Sequence, residues 1–245
     1  MLNFSRIPAQ SLPGQALRGL LRLVPKPEVV PILQGPLRGQ RWIVDAATQG
    51  CWLGTYELSK QEAFQKLVRP GSVVFDIGAN VGLYTLLASR LVGPQGKVVA
   101  FEPLPRNVPY LRRHLELNDA RNVELVEAAV SNYDGAGHFR TNGDPHLGQL
   151  SGDGQVDVRV TTLDEFMKTA TLQPELLKID VEGAEADVLA GAVETLRLCR
   201  PTIVLATHNR TVHQLCCSRL ESLGYRLESL TELPLPDTDE LLATI

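Results

Sequence analysis

The stretch Val73-Val74-Phe75-Asp76-Ile77-Gly78-Ala79-Asn80-Val81-Gly82 decides the fold. An apolar run ends in a carboxylate, turns on glycine and opens an amphipathic segment. About twenty residues past Gly82, a second apolar run, Val98-Val99-Ala100-Phe101, ends in Glu102-Pro103. Strand, glycine turn, helix, strand and terminal acid are the parts of a nucleoside-binding βαβ unit.

The two acids narrow the nucleoside. In a dinucleotide fingerprint the loop amides meet a pyrophosphate, and a carboxylate two residues ahead of the first glycine would repel that anion. Asp76 holds that position, and the full G-x-G-x-x-G spacing is missing. S-adenosylmethionine carries an ammonium and a sulfonium and no phosphate, so it is the expected ligand, with Glu102 accepting from its ribose hydroxyls. The amides of residues 78–80 are expected to face the methionyl carboxylate.

Outward from this unit, strand and helix alternate. Strands are predicted over 72–77, 97–101, 123–126, 175–180 and 202–206, each short, apolar and mostly β-branched, as buried parallel strands are. Apolar faces follow at helical spacing: Leu83, Leu86, Leu87 and Leu91; Leu104, Val108, Leu111 and Leu115; Val212, Leu215, Cys216, Leu220 and Leu223. A helix is predicted from Glu57 to Leu67, and short strands near Leu37 to Val44. Residues 225–230 and 241–245 form a closing antiparallel pair. The expected fold is α/β and Rossmann-like: a doubly wound, mostly parallel sheet with an antiparallel edge hairpin. The glycine-rich stretch 132–160 reads as a hairpin insertion in which Val156 to Val160 alternates like an edge strand.

Composition sets limits. With 245 residues, 44% of them hydrophobic, the chain can bury a large core, and a net charge of -4 argues against a nucleic-acid partner held by charge. Cys51, Cys199, Cys216 and Cys217 form no metal-ligand spacing and read as reduced thiols of a cytoplasmic protein. No apolar run approaches the roughly eighteen residues of a membrane span. Residues 1–53 read as an N-terminal arm or cap. Arg6, Arg18, Arg22 and Lys26, with no acid among the first 27 residues, would favour an anionic acceptor under a mobile cover.

Several pieces in order resemble the FkbM family of S-adenosylmethionine-dependent methyltransferases. They are Gly54-Thr55-Tyr56-Glu57, Phe75 to Thr85, Val99 to Pro103, Asn118 with Asn122-Val123, Ala128-Ala129-Val130, Thr162-Leu163-Asp164 and Lys178 to Glu185. The resemblance implies a class I methyltransferase fold with seven strands over residues 54–245. It also implies methylation of a hydroxyl on a sugar, glycan or secondary metabolite. After the strand at 202–206 the chain departs from the family's frequent acid and reads Thr207-His208-Asn209-Arg210.

The candidate cofactor residues are Tyr56, Glu57, Asp76, Gly78, Ala79, Asn80, Gly82, Thr85, Glu102, Pro103, Asn107, Ala129 and Asp180. Ala128 and Ala129 are small enough to leave room for an adenine plane. Lys178, Asp180 and Glu182 alternate along one strand end and so share a side. Asp180, Glu182 and His208 are the candidate proton acceptors for the acceptor hydroxyl. Two rival readings stand beside this one. In the first, Asp180, His208 and Asn209 hold Mg²⁺ against a diol; in the second, the chain is a non-catalytic, cofactor-binding partner subunit.

Overall fold

The computed structural model describes residues 25–140, 149–150 and 154–245, together with Gln10, Ser11, Gln15 and Gly19. Arg6, Arg18 and Arg22, and the middle of the glycine-rich stretch, lie outside the described residues.

Five parallel strands carry the framework: β3 (Val73–Ile77), β4 (Lys97–Phe101), β5 (Val123–Val126), β10 (Leu176–Ile179) and β11 (Thr202–Ala206). Each lies within a residue or so of its sequence expectation. With β12 (Arg226–Ser229) and β13 (Glu240–Thr244) they form a seven-stranded sheet in the order β12-β13-β11-β10-β3-β4-β5. β13 runs antiparallel to β11 and to β12, which makes the expected edge hairpin.

Side-chain alternation along the strands sorts the interior into two layers. Val74, Val98, Leu176 and Val204 pack with Leu83, Leu86 and Leu87 of α3 (Leu83–Val92). Phe75, Ile77, Leu177, Ile179 and Leu205 pack on the other face against α6 (Glu185–Ala190), α7 (Val193–Cys199) and α8 (Arg210–Ser222). The sheet is therefore doubly wound. The chain leaves β3 toward β4 on one side and reaches β10 on the other, so a crevice opens beyond the carboxyl ends of β3, β4 and β10.

Three sequence expectations change. The strand near Leu37 to Val44 shrinks to β2 (Arg41–Ile43), paired with the unforeseen β1 (Val29–Pro31), while Leu37 is buried in the turn between them. Leu215 is exposed rather than on the packed face of α8, which buries His213, Cys216 and Leu220. β9 (Val156–Thr161) is no edge strand: it lies between β6 (Ala129–Val130) and β7 (Gly135–Arg140) in a second sheet that continues to β8 (Gln149–Leu150). One face of that sheet packs on Leu104, so the alternation of β9 was read correctly and its neighbours were not.

The segment ahead of the Rossmann unit belongs to the core. Ile32, Leu37 and Trp42 are buried with Val74 and Leu87, and α1 (Gln49–Leu53) and α2 (Leu58–Leu67) lead from them toward β3. No helix among the described residues is long and apolar enough to cross a membrane.

Candidate active site

A cavity of about 400 Å³ opens at the strand ends. Tyr56, Glu57, Gly78, Ala79, Asn80, Glu102, Pro103, Asn107, Ala129 and Asp180, all expected cofactor residues, form part of its wall. Asp76, Gly82 and Thr85 do not. Asp76 is fully buried behind the loop, accepts from the Thr85 hydroxyl at 2.6 Å and faces Lys178 at 3.2 Å. Gly82 precedes α3 with φ +97° and touches Leu111 of α4 (Asn107–Leu117). These three shape the loop from behind.

The loop amides are also placed differently from expectation. Gly78 and Ala79 donate to the Phe101 carbonyl at 3.1 and 3.0 Å, and Asn80 donates to Glu102 Oε2 at 2.7 Å. Strand β4 takes them, leaving none of the three for a ligand anion. The sequence could not show this, because only the pairing of β3 with β4 brings Phe101 and Glu102 beneath the turn.

Glu102 is 3% exposed. Its Oε1 accepts from the Leu104 amide at 3.0 Å and from Asn107 Nδ2 at 3.2 Å. Burial lifts its pKa above the ordinary value, and the donors from Leu104, Asn107 and Asn80, with Lys178, only partly reverse that. Three of roughly four acceptor positions are thus used inside the protein, and Oε2 keeps capacity for a hydroxyl donor from the cavity.

At the opposite wall, charges crowd around the end of β10. Asp180 Oδ2 lies 3.7 Å from Lys60 and 3.8 Å from Lys178, while Oδ1 lies 3.5 Å from His208 Nε2. Glu182 Oε2 lies 3.4 Å from the same nitrogen. Glu182 adopts the left-handed conformation at φ +57° ahead of Gly183, which turns its carboxylate back toward His208. His208 Nδ1 bonds Glu185 Oε1 at 2.7 Å. The Glu185 bond raises the His208 pKa to about 9 against the cost of burial, and Glu182 and Asp180 add to the rise. Burial would raise Asp180, but Lys178, Lys60 and His208 outweigh it and hold the carboxyl below its usual value. Burial lifts Glu182 above its usual value, opposed by His208.

The structure brings together Asp180, Glu182 and His208, which the sequence offers as alternative proton acceptors. Asn209 is not with them: its Oδ1 accepts from the Val212 amide at 2.9 Å and caps α8. Lys60, Tyr84 and Glu185 were not weighed from sequence. Lys60 bonds Glu240 at 2.5 Å and Tyr84 donates to Glu57 at 2.9 Å; both depend on how α2 packs over α3, which no local pattern encodes. Glu185 carried a signal, an acid three residues beyond Glu182 at the start of a helix.

Strand order, antiparallel closure and a cavity at the switch point define a class I methyltransferase fold. The family model of the methyltransferase FkbM domain matches residues 76–227, and the chain belongs to that family of S-adenosylmethionine-dependent methyltransferases. The 2-O-methyltransferase NoeI of Sinorhizobium fredii is 32% identical over 155 residues, covering 55% of this chain and 63% of that protein. The 31-O-demethyl-FK506 methyltransferase FkbM of Streptomyces tacrolimicus is 31% identical over 162 residues, covering 51% and 60%. The chain spans about three fifths of the length of the curated relatives it matches. The crystal structure of methyltransferase FkbM from Methylobacillus flagellatus KT superposes with a TM-score of 0.52 at 18% identity, over 84% of this chain and 56% of that one, a likeness of fold.

The residues present fit the cofactor. A buried acid with spare acceptor capacity suits a ribose hydroxyl, and Ala128 and Ala129 leave wall space at an apolar flank. The consumed loop amides offer nothing to a pyrophosphate, and nothing to the methionyl carboxylate, which would find its partners elsewhere on the cavity wall.

Proposed function

We propose that this protein transfers a methyl group from S-adenosylmethionine to a hydroxyl of a sugar, glycan or secondary metabolite, in the cytoplasm. The observation that carries the reading is that Asp180 and Glu182 line the same cavity as Glu102, with His208 Nε2 3.5 Å from the first and 3.4 Å from the second. Relatives whose names specify O-methylation support the oxygen acceptor.

S-adenosylmethionine, when bound, supplies an electrophilic methyl group on a sulfonium. Glu102 would hold the ribose, with Pro103 and Ala129 flanking the base. Asp180 and Glu182 meet the acceptor hydroxyl and align it, and alignment provides most of the rate in such a displacement. The three polar groups differ in readiness to take the hydroxyl proton. His208 already carries its proton at neutral pH and Asp180 is held acidic, so Glu182, lifted by burial, is the better base of the two carboxylates.

The test is a screen of metabolite and glycan extracts for a mass gain of one methyl group that depends on this protein and on the methyl donor. With the acceptor in hand, Asp180→Asn and Glu182→Gln should keep donor affinity within several-fold and lose roughly 10²- to 10⁴-fold in turnover. Wild-type turnover in both variants would leave positioning by other groups as the whole of catalysis.

A further inference from the structure

We propose that Asp180, Glu182 and His208 form a divalent-cation site, oriented by Glu185, that holds the acceptor's hydroxyl. The proposal rests on the reading that this mouth of the cavity receives the acceptor.

The geometry is that of a ligand set. One ligand atom from each of the three side chains lies within 4.8 Å of the others. His208 Nε2 is 3.5 Å from Asp180 Oδ1 and 3.4 Å from Glu182 Oε2. Around an ion with metal–ligand distances of about 2.0–2.2 Å, the edges of a tetrahedron measure roughly 3.3–3.6 Å. The two separations are of that size, and the ligand oxygens of Asp180 and Glu182 lie within 4.8 Å of each other, so a small ion that displaces the Nε2 proton of the His208 cation joins the three as the carboxylates close on it.

Glu185 supplies an independent indication. Its side chain is fully buried, and its Oε1 accepts from the Gly183 amide at 2.9 Å and binds His208 Nδ1 at 2.7 Å. A carboxylate on the far nitrogen fixes the imidazole tautomer and turns the other nitrogen outward, as carboxylate–histidine pairs do behind metal ions. Its Oε2 has no hydrogen-bond partner among the described residues. A buried carboxylate left with half of its acceptor capacity unmet points to more positive charge nearby than the imidazole provides.

The neighbouring lysines do not supply it. Lys60 and Lys178 approach only the Oδ2 atom of Asp180, and each lies closer to another acid, Glu240 at 2.5 Å and Asp76 at 3.2 Å. Glu57, the remaining acid on that side, is 3.8 Å from Lys60. Three carboxylates therefore share one imidazole on the Oδ1 side. One nitrogen and two carboxylate oxygens make a borderline donor set suited to Mn²⁺ or Zn²⁺. The sequence had placed Asn209 in such a site with Mg²⁺; Asn209 caps α8 and Glu182 takes its place.

Three protein ligands leave a coordination position open, as in catalytic sites. With the ion bound, Glu182 serves as a ligand in place of its role as proton acceptor, and an acceptor hydroxyl at the open position loses its proton to water more readily. Its oxygen then forms the bond to the methyl carbon as the carbon–sulfur bond breaks and the electron pair stays on sulfur.

The experiment uses the full chain, stripped with EDTA and freed of it, without methyl donor or acceptor. Mn²⁺ titration followed by loss of the free-ion EPR signal should give one ion per chain, and calorimetry with ZnCl₂ the same stoichiometry. Glu182→Gln and His208→Gln should each weaken binding at least 10-fold, and Glu185→Gln by 10- to 100-fold. Should Glu185→Gln fail to fold, Glu182→Gln at the open mouth carries the comparison. Absence of saturable binding at millimolar Mn²⁺ and Zn²⁺, or binding untouched by Glu182→Gln and His208→Gln, would overturn the site. S-adenosylmethionine binding measured in EDTA separates the two readings, since its failure overturns the methyltransferase proposal and its persistence without metal binding overturns this one alone.

Discussion

The carbonyl oxygen of Asp180 occupies the space that a side chain on Gly78 would need: a Cβ built there would lie 1.9 Å from it. The glycine turn after β3 is therefore pressed against the end of β10, and this contact joins the cofactor wall to the polar mouth. Gly71 has nearly the same backbone, φ +83° against +80°, but nothing lies within 4 Å of its Cβ direction. Gly71→Ala should cost about 1–2 kcal/mol for the left-handed residue alone. Gly78→Ala should cost a further 1–3 kcal/mol or so, because backbone must move to admit the methyl. Urea unfolding of both variants checks the difference, and equal losses would show that the two loops are not in contact.

Glu102→Gln should weaken S-adenosylmethionine by about 1–3 kcal/mol, the range for hydrogen bonds to a charged group. The loss has two sources, since Glu102 also holds the Asn80 amide at 2.7 Å. Donor analogues lacking the ribose 2′- and 3′-hydroxyls separate them: they should bind the wild type poorly and the variant almost as well as the natural donor. A variant that still prefers the diol by the wild-type factor would remove Glu102 from ribose recognition.

Much of this fold was legible because its signals are local. β-branched runs bounded by Gly and Pro located the parallel strands, and an acid ending β4 located Glu102. What escaped depends on who lies next to whom. Val156 to Val160 alternates correctly whether it is an edge or the middle of a sheet, so only the pairing with β6 and β7 could place it. Asp76 reads as a ligand because a carboxylate suits the cationic groups of the donor, and Thr85 because its hydroxyl lies near the loop, yet the two bond each other behind it. The loop amides looked free because their acceptor, Phe101 O, lies on another strand. Asp180, Glu182 and His208 could be placed near one another because strand ends at a switch point are read from order alone, while Lys60 follows from helix packing.

His114 should make the protein acid-sensitive. Its ring stacks on Trp42 at 4.0 Å, Nδ1 bonds the Val81 carbonyl at 2.7 Å, and Nε2 accepts from the Ile43 amide at 3.0 Å. Both nitrogens are satisfied only in the neutral ring. Burial pushes its pKa down from 6.5 to about 4, partly opposed by Val81. The unfolded chain therefore binds the extra proton first on acidification, so this stability is complete above pH 6.5 and is lost as pH falls toward 4. The loss should reach about 3 kcal/mol. Unfolding free energies across that window should show the slope in the wild type and not in His114→Gln; a slope shared by both assigns it to other groups.

The N-terminal segment separates into two parts that truncation can tell apart. From residue 25 onward the chain enters the core: Ile32 is 2% exposed, its amide bonds the Gln40 carbonyl at 2.8 Å, and Leu33 donates to Trp52 at 3.0 Å. Removing residues 1–35 would take β1 and Ile32 with it, and losing a buried isoleucine side chain alone costs about 2–5 kcal/mol. Removing residues 1–24 takes away Arg6, Arg18 and Arg22 and retains Ile32, Leu37, Trp42 and β1. If those arginines draw an anionic acceptor, the shorter truncation should keep the wild-type melting temperature and donor affinity. It should raise KM for the acceptor and reduce the salt dependence of that KM, since less charge attraction is left to screen. The longer truncation should melt lower whatever the acceptor. Unchanged KM and salt dependence after removal of residues 1–24 would show that the basic arm has no part in acceptor capture.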